Sequence, residues 1–225
     1  MPEIFNKLLD VEPRAWITLA VILVLSLIGL FLLSHKEKTT STAQTKKLVY
    51  GGICISISFV LSYIRIFHLP QGGSITLASM FPLVLYSMIF GPVAGIAAGI
   101  AYGFLQLIQD MFVVNIAQFL LDYPLAFGCL GLAGITPKFI KNLHIRTALS
   151  ITLALIGRGM MHVISGTLFF SEYAPEGMNP FIYSLGYNGT IILSELVITL
   201  ILAMALISTP IYSTLKKGAV PSFNA

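Results

Sequence analysis

Long apolar stretches separated by short polar segments run through almost the whole chain. A helix that crosses a membrane needs about 20 mainly apolar residues, and stretches of that kind predict about seven spans here. The predicted spans are residues 16–34, 48–67, 75–90, 92–109, 115–135, 147–169 and 183–208. The pattern therefore predicts an all-α integral membrane protein.

A stripe of glycines marks the fourth predicted span. Gly91, Gly95, Gly99 and Gly103 recur at four-residue spacing, so they lie on one face of a helix. Small residues in this arrangement allow two helices to approach closely in lipid. We expect close helix packing along this stripe.

The first predicted span is separable from the rest. A signal peptide is the alternative, but Glu3, Asp10 and Glu12 precede the span, and a signal peptide carries basic residues there. We expect a retained helix, followed by the polar, Thr-rich segment 35–46 as a cytoplasmic linker. The predicted organisation is an extra helix and linker at 1–46, a six-helix membrane domain at 47–217 and a short cytoplasmic tail at 218–225.

Composition agrees with lipid as the solvent. Of 225 residues, 56% are hydrophobic and 10% are charged, whereas a soluble domain carries about 25% charged residues. A water-facing globule is therefore excluded. The net charge of +4 does not indicate nucleic acid, because the basic residues gather beside the spans.

Charge asymmetry predicts the orientation, since cytoplasmic loops carry an excess of Lys and Arg. With seven spans, three basic clusters fall on one side: Lys36, Lys38, Lys46 and Lys47; Lys138, Lys141 and Arg146; Lys216 and Lys217. The opposite side holds acidic residues, with only two basic ones outside the spans: Glu3, Asp10, Glu12, Asp110, Glu172 and Glu176, against Lys7 and Arg14. We predict a bacterial plasma-membrane protein with its N-terminus outside and its C-terminus in the cytoplasm.

Ionisable residues inside the spans are costly in lipid, so they are candidates for function. Within the spans these are Asp122, Arg158, His162 and Glu195, with Arg65 near an outer boundary. Helical spacing puts each of three groups on one face of its helix. The groups are Gln118 and Asp122; Arg158, His162, Ser165 and Gly166; and Asn188 and Glu195. We expect three helices to direct polar groups inward.

Each of these residues also has a purely structural interpretation. Asp122 and Arg158 would then form an ion pair between helices, His162 would make a hydrogen bond in the core, and Glu195 would pair with another helix. Acidic groups among aromatic rings nevertheless suit a cationic aromatic ligand. The rings are Tyr123, Phe169, Phe170, Tyr173, Tyr183 and Tyr187, for which an interfacial belt is the alternative.

Two outer loops, residues 68–74 and 171–180, contain Pro and Gly and are either lids over an outward pocket or plain connections. No catalytic motif and no phosphate-binding loop occurs, so the protein is not predicted to be an enzyme or to bind ATP itself. Cys54 and Cys129 lie in apolar segments without a partner motif, so we expect neither a metal site nor a cofactor.

Five runs, in order, resemble one known family. They are LPQGGS (69–74), FLLDYPLAF (119–127), RGMMHVISGTLFF (158–170), YAPEG (173–177) and YSLGYNG (183–189). Over residues 47–210 the chain resembles the thiamine-specific substrate-binding subunit, or S-component, of energy-coupling factor (ECF) transporters, the ThiT or YuaJ type. The resemblance implies a six-helix fold that captures thiamine near the outer face. It also implies association with a transmembrane coupling subunit and two cytoplasmic ATPases.

The resemblance also implies which residues bind. By motif position these are Asp122, Tyr123, Arg158, His162, Phe170, Tyr183 and Asn188, with Gly72, Gly73 and Ser74 from the first outer loop. Phe170 stands where some members have Trp, and other members place Trp and Glu in the loop, which this chain does not. For the coupling subunit, Gly52 and Ser56 take the place of the family's AxxxA face. The extra N-terminal span is not part of the six-helix plan of the family.

Other functions remain open at this stage. One alternative is an S-component for another small vitamin or for a thiamine precursor. A second is a stand-alone proton-coupled carrier in which Asp122, Arg158 and Glu195 relay protons. An enzyme within the membrane is a third, and no motif supports it.

Overall fold

The computed structural model describes residues 11–34, 41–109, 111–137 and 139–219. Eight helices occur in these ranges: α1 (Pro13–Ser34), α2 (Ser41–Ser62), α3 (Phe81–Phe90), α4 (Pro92–Gln109), α5 (Ile116–Gly134), α6 (Leu143–Phe169), α7 (Pro180–Ile207) and α8 (Pro210–Ala219). Two short antiparallel strands, β1 (Arg65–His68) and β2 (Ser74–Thr76), form a hairpin. Some predictions concern residues outside these ranges, namely 1–10, 35–40, Asp110, Lys138 and the end of the tail.

The helices confirm the predicted membrane fold. By length and composition, α2, α4, α5, α6 and α7 are the five helices able to cross a membrane in the described ranges. The other two predicted spans correspond to α1 and α3. Their apolar segments, Pro13–Gly29 and Phe81–Phe90, are shorter than those of the other five. An all-α membrane architecture is therefore correct, with the hairpin as a small addition.

The hairpin corrects the boundaries of two predicted spans. The second was expected to run to residue 67, but α2 ends at Ser62, and the third was expected to begin at residue 75, but α3 begins at Phe81. Ala78 has a φ of 62°, a left-handed conformation that cannot continue a helix, and a proline stands in the first turn of α3. Residues 64–67 and 75–77, which are mostly apolar, therefore form strands and a connection instead of helix.

Helix α5 is irregular where the predicted acid lies. It begins after Asn115, whose side chain accepts a hydrogen bond from the Gln118 amide, and residues 121–125 form a π-helical turn. Pro124 lies inside this turn, and a proline has no amide hydrogen to continue the α-helical pattern. Wide turns of this kind are frequent at functional sites.

The predicted glycine stripe packs α4 against α5. A Cβ atom added to Gly103 would lie 2.7 Å from the backbone oxygen of Tyr123, and one added to Gly99 would meet the backbone of Phe127. The backbones of the two helices are thus in direct contact, which only glycine permits here. The stripe fixes the segment of α5 that contains Asp122.

The remaining packing gives the molecule two distinct ends. At one end, Lys46 of α2 donates a hydrogen bond to the backbone oxygen of Gly218 (2.8 Å), and His144 of α6 contacts Ser208 after α7 (3.2 Å). The hairpin follows the other end of α2. Helix α1 packs beside α5, where its buried Leu19 clusters with Leu121.

Candidate ligand-binding site

A cavity of about 250 Å³ lies between the hairpin and helices α4 to α7. All of the residues that the sequence predicts for substrate binding line it: Gly72, Gly73, Ser74, Asp122, Tyr123, Arg158, His162, Phe170, Tyr183 and Asn188. The structure therefore brings together residues from the hairpin and three helices that are far apart in sequence.

Asp122 is held in place by three hydrogen bonds. Its Oδ2 accepts one from Gln118 Nε2 and one from Ser165 Oγ, both at 2.7 Å, and its Oδ1 lies 2.9 Å from His162 Nδ1. The side chain is 16% exposed, so the carboxylate is largely occupied by neighbours. The predicted sharing of a face by Gln118 and Asp122 is confirmed.

His162 and Arg158 lie one turn apart on α6 and both line the cavity. Because His162 Nδ1 faces the Asp122 carboxylate, a neutral ring donates from Nδ1 and leaves Nε2 as an acceptor. His162 Nε2 makes no hydrogen bond to any residue in the described ranges, nor do Nε and Nη1 of Arg158. The acid therefore determines which nitrogen of His162 is available as an acceptor.

The alternative of an ion pair between Asp122 and Arg158 is wrong. Both residues are described, and the carboxylate pairs with His162 instead. The guanidinium of Arg158 lies 4.8 Å from the centre of the Phe127 ring, a distance at which a cation and an aromatic face attract. Arg158 is buried and keeps its donors beside the cavity.

Aromatic rings form two walls. Phe170 stacks between Phe112 and Tyr173, with ring centres 5.6 Å and 6.1 Å apart. On α7, Tyr183 stacks with Tyr187 at 6.3 Å. Five of the six predicted rings line the cavity, whereas Phe169 packs against the cluster around Leu19 and Leu121 instead.

The hairpin closes one side of the cavity and contacts α7. The hydroxyl of Tyr187 accepts a hydrogen bond from the Gly73 amide (3.0 Å) and donates one to the backbone oxygen of Pro70. Glu195 Oε1 accepts from both the amide and the hydroxyl of Thr76, each at 2.7 Å. The alternative in which Glu195 pairs with another helix is therefore wrong, because its hydrogen-bond partner is Thr76 of strand β2.

Sequence reasoning missed several lining residues. Phe112 lies in a connection, and its amide donates to the hydroxyl of Tyr123 (3.1 Å), which fixes it opposite Phe170. Gln106, Gln109 and Thr76 also line the cavity. The spacing of Gln106 and Gln109 on an apolar helix was a usable signal, whereas nothing local identified Phe112 or Thr76.

The two residues predicted for partner docking lie elsewhere. Gly52 and Ser56 are exposed on α2, and the Ser56 hydroxyl bonds back to the Gly52 oxygen at 2.9 Å. A Cβ added to Gly52 would have no atom within 4 Å. This face of α2 is open within the described structure.

An anionic carboxylate, a histidine with an available nitrogen and two aromatic walls form an enclosed site within a helical membrane protein. Such a site suits a small ligand with aromatic rings and positive charge. The fold and the cavity together define the class as a multi-pass membrane protein with a binding site for a small molecule.

Comparison with known proteins gives the family. The chain belongs to the thiamine transporter (Thia_YuaJ) family, whose model matches residues 48–214. It is 30% identical over 178 residues to the thiamine transporter ThiT of Bacillus subtilis (strain 168), covering 74% of this chain and 92% of that protein. It is also 30% identical over 182 residues to ThiT of Lacticaseibacillus paracasei, covering 73% and 90%.

A solved structure of ThiT from Listeria monocytogenes has the same fold. The TM-score is 0.68 at 22% sequence identity, and the match covers 79% of this chain and 99% of that chain. The family resemblance derived from the five sequence runs is confirmed. The relatives are named as transporters, which agrees with a protein that moves a solute.

Proposed function

We propose that this protein is the thiamine-binding S-component of an ECF-type transporter, which captures thiamine at the outer face of the cell membrane. Family membership supports the ligand. The observation that carries the proposal is the position of Asp122 and its partner His162 in a cavity between two aromatic walls. Thiamine combines a cationic ring with an aminopyrimidine, which these groups complement in charge and shape.

The roles of the residues follow from their contacts. Asp122 balances the positive charge of the ligand and acts on its rings through His162, because three donors already occupy the carboxylate. Phe170, Tyr183 and Tyr123 wall the rings. Asn188 and Arg158 bind polar edges, and Gly72, Gly73 and Ser74 cover the ligand from the hairpin.

Delivery requires partners, which we propose are a transmembrane coupling subunit and two cytoplasmic ATPases. The basic residues support an orientation with the C-terminus in the cytoplasm, and the contact of Lys46 with Gly218 puts two of these clusters at one end. The open face at Gly52 and Ser56 supports docking there, because small residues allow a partner helix to approach closely.

Equilibrium binding of radiolabelled thiamine to the purified full-length protein tests the ligand. We expect saturable binding at submicromolar thiamine, with much weaker competition by the free aminopyrimidine moiety. No binding at micromolar thiamine contradicts the proposal, and stronger competition by the pyrimidine indicates a precursor as the true ligand. Thiamine monophosphate in the same assay shows whether the phosphorylated form competes.

Uptake into vesicles tests the partners. Vesicles that contain this chain alone should accumulate no thiamine against a gradient, and addition of the coupling subunit, the ATPases and ATP should start uptake. Accumulation driven by a proton gradient without the ATPases contradicts the S-component role and favours a stand-alone carrier.

A further inference from the structure

The hairpin of β1 and β2 is attached to α7 at two separate points. At its tip, the Tyr187 hydroxyl bonds to the Gly73 amide and to the Pro70 oxygen. At its base, Glu195 Oε1 receives both hydrogen bonds from Thr76. The two attachments lie eight residues apart on α7, a little over two turns, so together they hold the length of the hairpin against one helix.

Contact at the tip is very close. A Cβ atom on Gly73 would lie 2.5 Å from the Tyr187 hydroxyl oxygen and 2.6 Å from the end of the Ile191 side chain. A side chain at residue 73 would therefore force the ends of Tyr187 and Ile191 to move. The hairpin is therefore pressed against α7, and it forms one wall of the cavity.

The backbone of the hairpin region is in an unfavourable conformation at two residues. Gln71 at the tip and Ala78 beyond the base both have a φ of 62°, a left-handed conformation that non-glycine residues rarely adopt and that costs energy. Such residues persist where surrounding contacts hold them. The bonds to Tyr187 and Glu195 provide contacts of that kind on both sides.

Glu195 lines the cavity and also contacts the hairpin. It is 1% exposed, and a carboxylate inside a membrane span is expensive. Both of its hydrogen bonds to described residues go to Thr76, which itself contacts the Ser79 hydroxyl at 2.6 Å. The position of this acid is explained if its task is to hold the hairpin.

We propose that Tyr187 and Glu195 are positioning residues that latch the hairpin closed over the cavity and thereby set the rate at which the ligand leaves. This inference rests on the proposed function for the identity of the ligand, thiamine. The latch holds a strained hairpin, so loss of either attachment allows the hairpin to relax away from α7. The cavity walls on α5 and α6 are unchanged by that loss, so recognition of the rings persists while retention fails.

Dissociation and association rates of radiolabelled thiamine test the latch. For Tyr187→Phe, which removes both bonds at the tip, we expect dissociation roughly 5–30-fold faster and association within about twofold of the unmodified protein. Thr76→Val removes one hydrogen bond at the base and should accelerate dissociation less than Tyr187→Phe does. Thr76→Ser keeps the hydroxyl and should dissociate at the rate of the unmodified protein. Thr76→Val therefore tests the attachment at the base of the hairpin without a change to the buried Glu195 itself.

Two matched controls separate the latch from general effects. Tyr86→Phe removes a tyrosine hydrogen bond to a backbone oxygen, that of Lys47, far from the hairpin. Thr199→Val removes a buried hydroxyl on α7 one turn beyond Glu195, at a residue outside the cavity lining. Both should leave the dissociation rate unchanged, and an equal acceleration in the controls overturns the proposal.

Chemical labelling reports hairpin opening without reference to ligand affinity. Gln71→Cys is introduced after Cys54 and Cys129 are changed to alanine, and its reaction with a membrane-impermeant maleimide is timed. Tyr187→Phe should speed labelling both without thiamine and with it. Unchanged labelling and unchanged dissociation overturn the latch. If the unmodified protein binds no thiamine, the proposed function fails, and the labelling rates without ligand still decide on the latch.

Discussion

Replacement of Asp122 by Asn is the sharpest test of the binding site, because it removes one charge without changing the size of the side chain. The amide oxygen can still accept the hydrogen bonds from Gln118 and Ser165. The amide nitrogen then faces His162 Nδ1, where the carboxylate had accepted a hydrogen bond. For that contact to persist, Nδ1 must accept and Nε2 must carry the proton, so the available nitrogen of His162 changes from acceptor to donor.

The expected size of the effect follows from these contacts. One hydrogen bond to a charged group is lost or reversed, which corresponds to about 1.5–3 kcal/mol. Thiamine should therefore bind about 10–150-fold more weakly. Ser165→Ala is the matched control, because it removes one neutral donor and leaves both the charge and the His162 contact, so we expect a loss of about 2–13-fold.

Isothermal titration or equilibrium dialysis of the purified variants measures both effects, with thermal unfolding of each variant as the check on folding. Unchanged affinity in Asp122→Asn would refute the reasoning, and the acid would then be structural. Equal losses in Asp122→Asn and Ser165→Ala would also refute it, because the charge and the tautomer of His162 would then be irrelevant.

Three other predictions concern the walls, the docking face and the packing. Phe170→Ala should weaken thiamine binding about tenfold, because it removes a ring and its stack on Phe112, while Phe170→Trp should keep the affinity; equilibrium binding measures both. Gly52→Leu should abolish copurification with the coupling subunit, whereas Gly29→Leu, at another helix glycine with open space around it, should retain it. Gly103→Ala should lower the stability in detergent by about 1–3 kcal/mol, measured by unfolding, since its Cβ meets the backbone of α5; no change would contradict direct backbone contact.

The sequence predicted the helices and the inward polar face well because both depend on periodicity. Apolar runs identify spans whatever their tertiary context, and groups four apart on a helix share a face. Spacing alone predicted Gln118 beside Asp122 and Asn188 on the face of Glu195, and the hydrogen bond of the first pair and the shared cavity of the second agree with it. The candidate binding residues came from motif positions, and all of them line one cavity.

The hairpin was not predictable in the same way. Its strands are only four and three residues long, and their apolar residues continue the hydrophobic runs of the neighbouring helices. The decisive contacts, those of Thr76 with Glu195, join residues 119 positions apart. No local pattern reports such a pairing, so two span boundaries were mispredicted at this element, and the structural alternative for Glu195 named a helix where the partner is a strand.

The π-helical turn at residues 121–125 sets the register of α5. A wide turn accommodates one residue more than a regular turn, and each residue advances a helix by about 100°. Deleting a single residue there would leave a regular helix in which Gln118 keeps about the same orientation relative to the part packed on the glycines of α4, whereas the same deletion in a regular turn would rotate it by about 100°. The turn thus absorbs one residue more than a regular helix without changing the relation between the segments on either side, so alignments of relatives should allow a one-residue gap at this turn and not elsewhere in α5.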